Sequence, residues 1–97
     1  MALTSKQRQF LRGLAHPLSP VVRIGKGKLS EAVIEETKKT FLAHELIKVR
    51  IDAEGAERTE LAEQLAQASE SEVAGVIGKT AILFRPDAEK PRIKLPS

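Results

Sequence analysis

The sequence contains no cysteine. Disulfides and zinc–thiolate sites are thereby excluded, and the composition suits a reducing cytosol. It contains no tryptophan or tyrosine, and only three phenylalanines, Phe10, Phe41 and Phe84. Phe10 and Phe41 fall on apolar helical stripes, where core packing accounts for them. Few rings remain for stacking on nucleobases, so a sheet platform of the RRM kind is not expected. No apolar run approaches the roughly 20 residues of a membrane helix. Met1 to Phe10 is too polar for the apolar stretch of a signal peptide. The expectation is a cytoplasmic protein with no membrane contact.

What is present fits one soluble domain: 97 residues, 41% hydrophobic and 30% charged. The net charge is only +3, but it is unevenly spread. Residues 1–28 carry six basic side chains and no acidic one. Residues 29–77 carry five basic and eleven acidic, and residues 78–97 five basic and two acidic. If the fold brings the two ends together, one face is positive and the other negative. Such a surface steers a polyanion onto one side.

Thr4-Ser5-Lys6-Gln7 is a capping-box pattern, followed by Leu3, Phe10, Leu11 and Leu14 on one helical stripe. Pro17 ends this helix at Ala15-His16. Val21 to Ile24 is a short β-branched strand. A second helix starts at the cap Ser30, with Leu29 and Ile34 as a hydrophobic staple and Leu29, Val33, Thr37 and Phe41 on its buried stripe. Leu46 to Ile51 alternates as a strand. Glu57 to Ala68 is a third helix with Leu61, Leu65 and Ala68 inward. Val73 to Ile77 and Thr80 to Phe84 pair as a hairpin across Gly78-Lys79. The fold class is therefore α/β: a single domain, α-β-α-β-α-β-β, with a four-stranded mixed sheet and packed helices. The domain spans residues 1–86. Residues 87–97 form a basic C-terminal tail, in which Arg92 to Leu95 alternates as if extended along a sheet edge.

The strongest candidate site is Gly25-Lys26-Gly27-Lys28, a basic glycine loop between a strand and a helix start. Glycine lets backbone approach a ligand closely, free N–H groups at a helix start favour anions, and two lysines add mobile charge. The plain alternative is a solvent-exposed turn with lysines kept for solubility. Gly75 to Thr80 lacks P-loop spacing, and it opens a strand rather than a helix. His16 and His44 have no metal-ligand spacing, and nothing marks a catalytic nucleophile. Glu57, Glu60 and Glu63 lie on a solvated helix face. No enzyme activity, cofactor, metal or small-molecule substrate is expected.

Taken together, Arg12-Gly13-Leu14-Ala15-His16-Pro17-Leu18, the Gly25 loop, His44 to Ile51, Val76 to Thr80 and Leu83 to Pro86 resemble a known family. The chain is similar, over about residues 3–86, to the YhbY-type bacterial members of the CRM family, the chloroplast RNA splicing and ribosome maturation domain. The resemblance implies a fold similar to the C-terminal domain of bacterial translation initiation factor three. It also implies RNA binding through a GxxG loop between the first strand and second helix, and a role on precursors of the large ribosomal subunit. Here Gly25 matches the first glycine, Lys28 stands at the second, and Gly27 comes one residue early. Either the added charge compensates, or Lys28 adopts an uncommon backbone conformation.

The expectation is a monomeric RNA-binding protein contacting ribosomal RNA through Gly25, Lys26, Gly27 and Lys28. Arg12, Arg23, Lys48, Arg50 and Lys79 are expected to form the surrounding basic face. The alternative is a protein–protein adaptor on ribosomal complexes that uses its acidic helices.

Overall fold

The computed structural model describes residues 2–97. Helix α1 spans Ser5–Ala15, strand β1 Pro20–Ile24, helix α2 Glu31–Phe41 and strand β2 Leu46–Ile51. Helix α3 spans Gly55–Ala68, strand β3 Glu72–Ile77 and strand β4 Thr80–Phe84. A short 3-10 turn, Gly25–Gly27, follows β1. The local signals operate as chemistry requires. Thr4 Oγ1 accepts the Gln7 N–H at 3.1 Å, and Gln7 Oε1 accepts the Thr4 N–H at 3.0 Å, which satisfies donors that the first helical turn leaves free. Ser30 Oγ likewise accepts the Val33 N–H at the start of α2. Thr37 is buried, and its hydroxyl is satisfied by donating to the Val33 carbonyl at 2.8 Å.

The sheet order is β1-β2-β4-β3. Strands β1 and β2 are parallel, while β4 is antiparallel to both β2 and β3. Gly78 turns the β3–β4 hairpin with φ of 59°, a region glycine enters without a Cβ clash. Side-chain alternation divides the sheet into two cores. Val22, Ile24, Ile47, Val49, Ile51, Ala81 and Leu83 lie under α2 and α3, against Phe41, Leu61 and Leu65. Leu46, Ala74, Ile82 and Phe84 lie on the opposite face under α1, against Leu3, Leu11 and Ala15.

Three expectations change. Phe10 and Leu14 do not join the core of α1; they are 38% and 42% exposed. Only one helix lies on this face, so it seats through the narrow Leu11–Ala15 seam and the neighbouring stripe faces solvent. Helix α3 buries Leu61, Ala62, Leu65 and Ala66, and Ala68 is only half-buried. Arg92 to Leu95 forms no strand. Instead Ile93 and Leu95 pack against the α1-side core, and a buried carboxylate holds the backbone around them. Glu45 Oε1 accepts the N–H groups of Arg92 and Ile93 at 2.9 and 2.8 Å, and Oε2 accepts that of Asp87 at 2.6 Å. Burial pushes the Glu45 carboxyl up, but these three donors and the Arg92 charge outweigh it and hold it below the ordinary value.

Candidate nucleic-acid interface

Parallel pairing of β1 with β2, and antiparallel pairing of β2 with β4, place three chain segments at one end of the sheet. These are the Gly25 turn, the residues after Ile51, and the Gly78-Lys79 turn. Backbone bonds lock them together: Asp52 N–H donates to the Ile24 carbonyl at 2.9 Å, and Ile51 N–H to the Lys79 carbonyl at 2.7 Å.

The glycine turn is closed by the Lys28 N–H, which donates to the Gly25 carbonyl at 3.2 Å. Lys28 itself has an ordinary extended backbone, with φ of −114° and ψ of 120°. The uncommon conformation falls on Lys26, at φ 52° and ψ 34°, in the left-handed region that disfavours side chains with a Cβ. Gly25 has no such need, and a Cβ built there meets no atom within 4 Å. Lys26 and Lys28 are both exposed. The start of α2 lies beyond Leu29 and is partly occupied already, by the Ser30 cap and by Glu31 in the first turn. The turn's charge and exposed backbone, more than the helix start, thus make up this part of the site.

Arg23 and Arg50 are direct partners across the β1–β2 pair. Both point to the α1 side of the sheet but lie past the area that α1 covers, and they are 68% and 50% exposed. Arg23 Nε donates to Asp52 Oδ2 at 2.7 Å, and Arg50 Nε donates to Asp52 Oδ1 at 3.3 Å. The Arg23 hydrogen bond chiefly, with that of Arg50, holds the Asp52 carboxyl below its ordinary value against partial desolvation. Lys79 is half-exposed on the hairpin turn, 3.8 Å from Glu54.

Lys48 shares the face of Arg50 one repeat further from the turn, and its ammonium donates to the His16 carbonyl at 3.2 Å. Arg12 reaches the same face from α1, lying over Gly75 of β3 and donating to the Ala74 carbonyl at 3.3 Å. The structure therefore gathers Gly25 to Lys28, Arg23, Arg50 and Lys79 closely. It places Lys48 and Arg12 on the adjoining, helix-covered part of that face, with their end groups engaged by backbone carbonyls.

Sequence reasoning missed two residues here. Asp52 was legible as the residue two after Arg50, hence on the same face if the strand ran on. Arg58 lies in the first turn of α3, where a cation opposes the helix dipole. It donates to the Gly78 carbonyl at 2.6 Å and the Ala53 carbonyl at 3.0 Å, tying α3 to the hairpin turn. Among the described residues, no group of three or more His, Asp or Glu is placed to hold a metal. Nor is any helix long and apolar enough to cross a membrane.

The family model of the CRS1/YhbY (CRM) domain matches residues 3–85. The chain belongs to the CRM domain family. Similar CRM relatives include the Bacillus subtilis protein named "Probable RNA-binding protein YqeI", 37% identical across 97% of this chain and 99% of that one. A Haemophilus influenzae protein named "RNA-binding protein" is 38% identical across 97% of this chain and 95% of its own length. The solution structure of protein SAV1595 from Staphylococcus aureus matches this CRM domain with a TM-score of 0.87. It is 40% identical and covers 98% of this chain and 100% of the other. In this CRM domain the Gly25 turn lies between β1 and α2.

Proposed function

We propose that this protein binds RNA through the phosphate backbone, and that its ligand is ribosomal RNA in precursors of the large ribosomal subunit. The observation that carries the reading is the convergence of three separate chain segments into one exposed cationic end of the sheet, headed by Lys26 and Lys28. The names of the CRM relatives support RNA as the ligand. The resemblance to YhbY-type proteins supports the ribosomal setting. Phe41 and Phe84 are buried, which leaves Phe10 as the one partly exposed ring and favours phosphate contacts over base stacking. In this reading the protein acts as a monomeric, non-enzymatic assembly factor in the cytoplasm.

The test is a filter-binding titration of a structured ribosomal RNA fragment at several salt concentrations. Each phosphate contact adds roughly 0.7 to 0.9 to the slope of log affinity against log salt. The Lys26→Ala/Lys28→Ala double variant should weaken binding and flatten that slope by about 1.4 to 1.8. A folded double variant with the parent's slope removes the loop from the interface. A parent protein with no affinity for structured RNA at low salt, but with retention on ribosomal particles, would favour the adaptor reading.

A further inference from the structure

Two guanidinium groups side by side on neighbouring strands repel each other, and each long side chain is free to move unless something holds it. Arg23 and Arg50 occupy such positions, and they share one anchor. Asp52 gives one carboxylate oxygen to each Nε. The anchor is itself fixed, because its N–H is bonded to Ile24 of β1 and the preceding N–H to Lys79. Its carboxylate is only 22% exposed, whereas the arginines remain 68% and 50% exposed. Arg23 engages Asp52 through Nε and Nη2 and Arg50 through Nε, so Nη1 of Arg23 and the terminal nitrogens of Arg50 remain for a ligand.

We propose that Arg23, Asp52 and Arg50 form a preset two-guanidinium fork for a single RNA phosphodiester, with Asp52 as its positioning residue. The ligand chemistry is a tetrahedral anion with two free oxygens, which the planar N–H donors of arginine match pairwise. This fork is separate from the glycine turn, whose lysines are mobile point charges. The proposal rests on the reading of this end of the sheet as an RNA interface.

Its consequence runs against charge counting. Asp52→Asn makes the interface more positive by one unit. If Asp52 merely neutralises, the variant binds RNA more tightly and with a steeper salt slope. If Asp52 positions the fork, the variant binds more weakly, because two arginines must now be ordered on binding. Ordering two such side chains corresponds to about a 5- to 150-fold loss, and partial retention of order brings the expected loss to roughly 3- to 10-fold. The salt slope should stay within about 0.3 of the parent's, since no contacting cation is removed.

The experiment titrates the same ribosomal RNA fragment into the parent, Asp52→Asn, and the charge-preserving Arg23→Lys/Arg50→Lys variant. Weaker binding by both variants at an unchanged slope supports the fork. Equal or tighter binding by folded Asp52→Asn overturns it while leaving RNA binding intact. If Asp52→Asn fails to fold, the double lysine variant decides: parent-like affinity overturns the fork, and a loss of several-fold supports it. Excess inorganic phosphate, included in one arm, should compete only at concentrations far above the RNA. Competition at micromolar phosphate would overturn RNA as the fork's ligand. Absence of RNA binding by the parent would instead fail the underlying functional reading.

Discussion

Arg12 crosses directly over Gly75: a Cβ added at position 75 would stand 2.6 Å from Arg12 Cδ and 3.1 Å from its Cγ. The contact lies between the middle of a side chain and a strand backbone, so the arginine must be displaced before any alanine fits. Gly75→Ala should therefore destabilise by about 1 to 3 kcal/mol, as overpacking does. In an Arg12→Ala background most of that cost should vanish. A double-mutant cycle by denaturant titration measures the coupling, and additive losses would show that Arg12 does not occupy this place.

Gly25→Ala should behave in the opposite way. Nothing lies within 4 Å of the new Cβ, so stability should stay within about 0.5 kcal/mol of the parent. RNA affinity should fall, because the methyl group would stand between the turn's backbone and an approaching phosphate. Paired unfolding and gel-shift measurements separate the two effects.

Lys26 combines a charge with a left-handed backbone. Lys26→Gly and Lys26→Ala remove the same charge, and both should flatten the salt slope by roughly 0.7 to 0.9. The glycine variant should nevertheless be more stable than the alanine variant by about 1 kcal/mol, since only glycine enters that region without strain. Equal stabilities would place Lys26 in an ordinary conformation.

The buried Glu45 makes the docking of residues 87–97 dependent on acid. Its folded value lies below the ordinary 4.5. The stabilisation is thus fully present above the unfolded value and is lost as pH falls through the lower, folded one. Asp52 and Asp87 are held low as well and contribute to the same acid limb. Glu45→Gln should cost about 1.5 to 3 kcal/mol at neutral pH, the worth of a charge-assisted bond. It should also flatten the acid limb and make the segment after Pro86 sensitive to protease. A parent-like acid limb in the variant would mean that Glu45 is not the group being protonated.

Phe41 anchors α2 to the sheet at 6% exposure, next to Ile47, Val49 and Leu65 in the same core. Phe41→Ala should cost roughly 3 to 5 kcal/mol in a denaturant titration. A loss under about 1 kcal/mol would require a different rotation of α2.

The elements themselves were legible because their causes are local. A capping box at Thr4 and Gln7, alternation through Leu46 to Ile51, and a glycine at the hairpin turn each act within a few residues. The basic turn at Gly25 to Lys28 was legible for the same reason. The left-handed residue within it was not: the resemblance, with Lys28 at the family's second glycine position, pointed to an exception there, whereas the turn closed by the Lys28 N–H has its exception at Lys26.

Which residues meet was decided only in three dimensions. The sequence could place Arg50 on a strand face, but it could not say that α1 would stop short of Arg50 while covering Ile82 and Phe84 on the same face. Nor could it pair Arg23 with Arg50, which are far apart in the chain and meet through the parallel register of β1 and β2. That register is set by burial of Val22, Ile24, Val49 and Ile51 under two helices. A one-residue slip would turn every one of those side chains to the other face, so the core, acting over the whole sheet, is what brings two arginines to one aspartate.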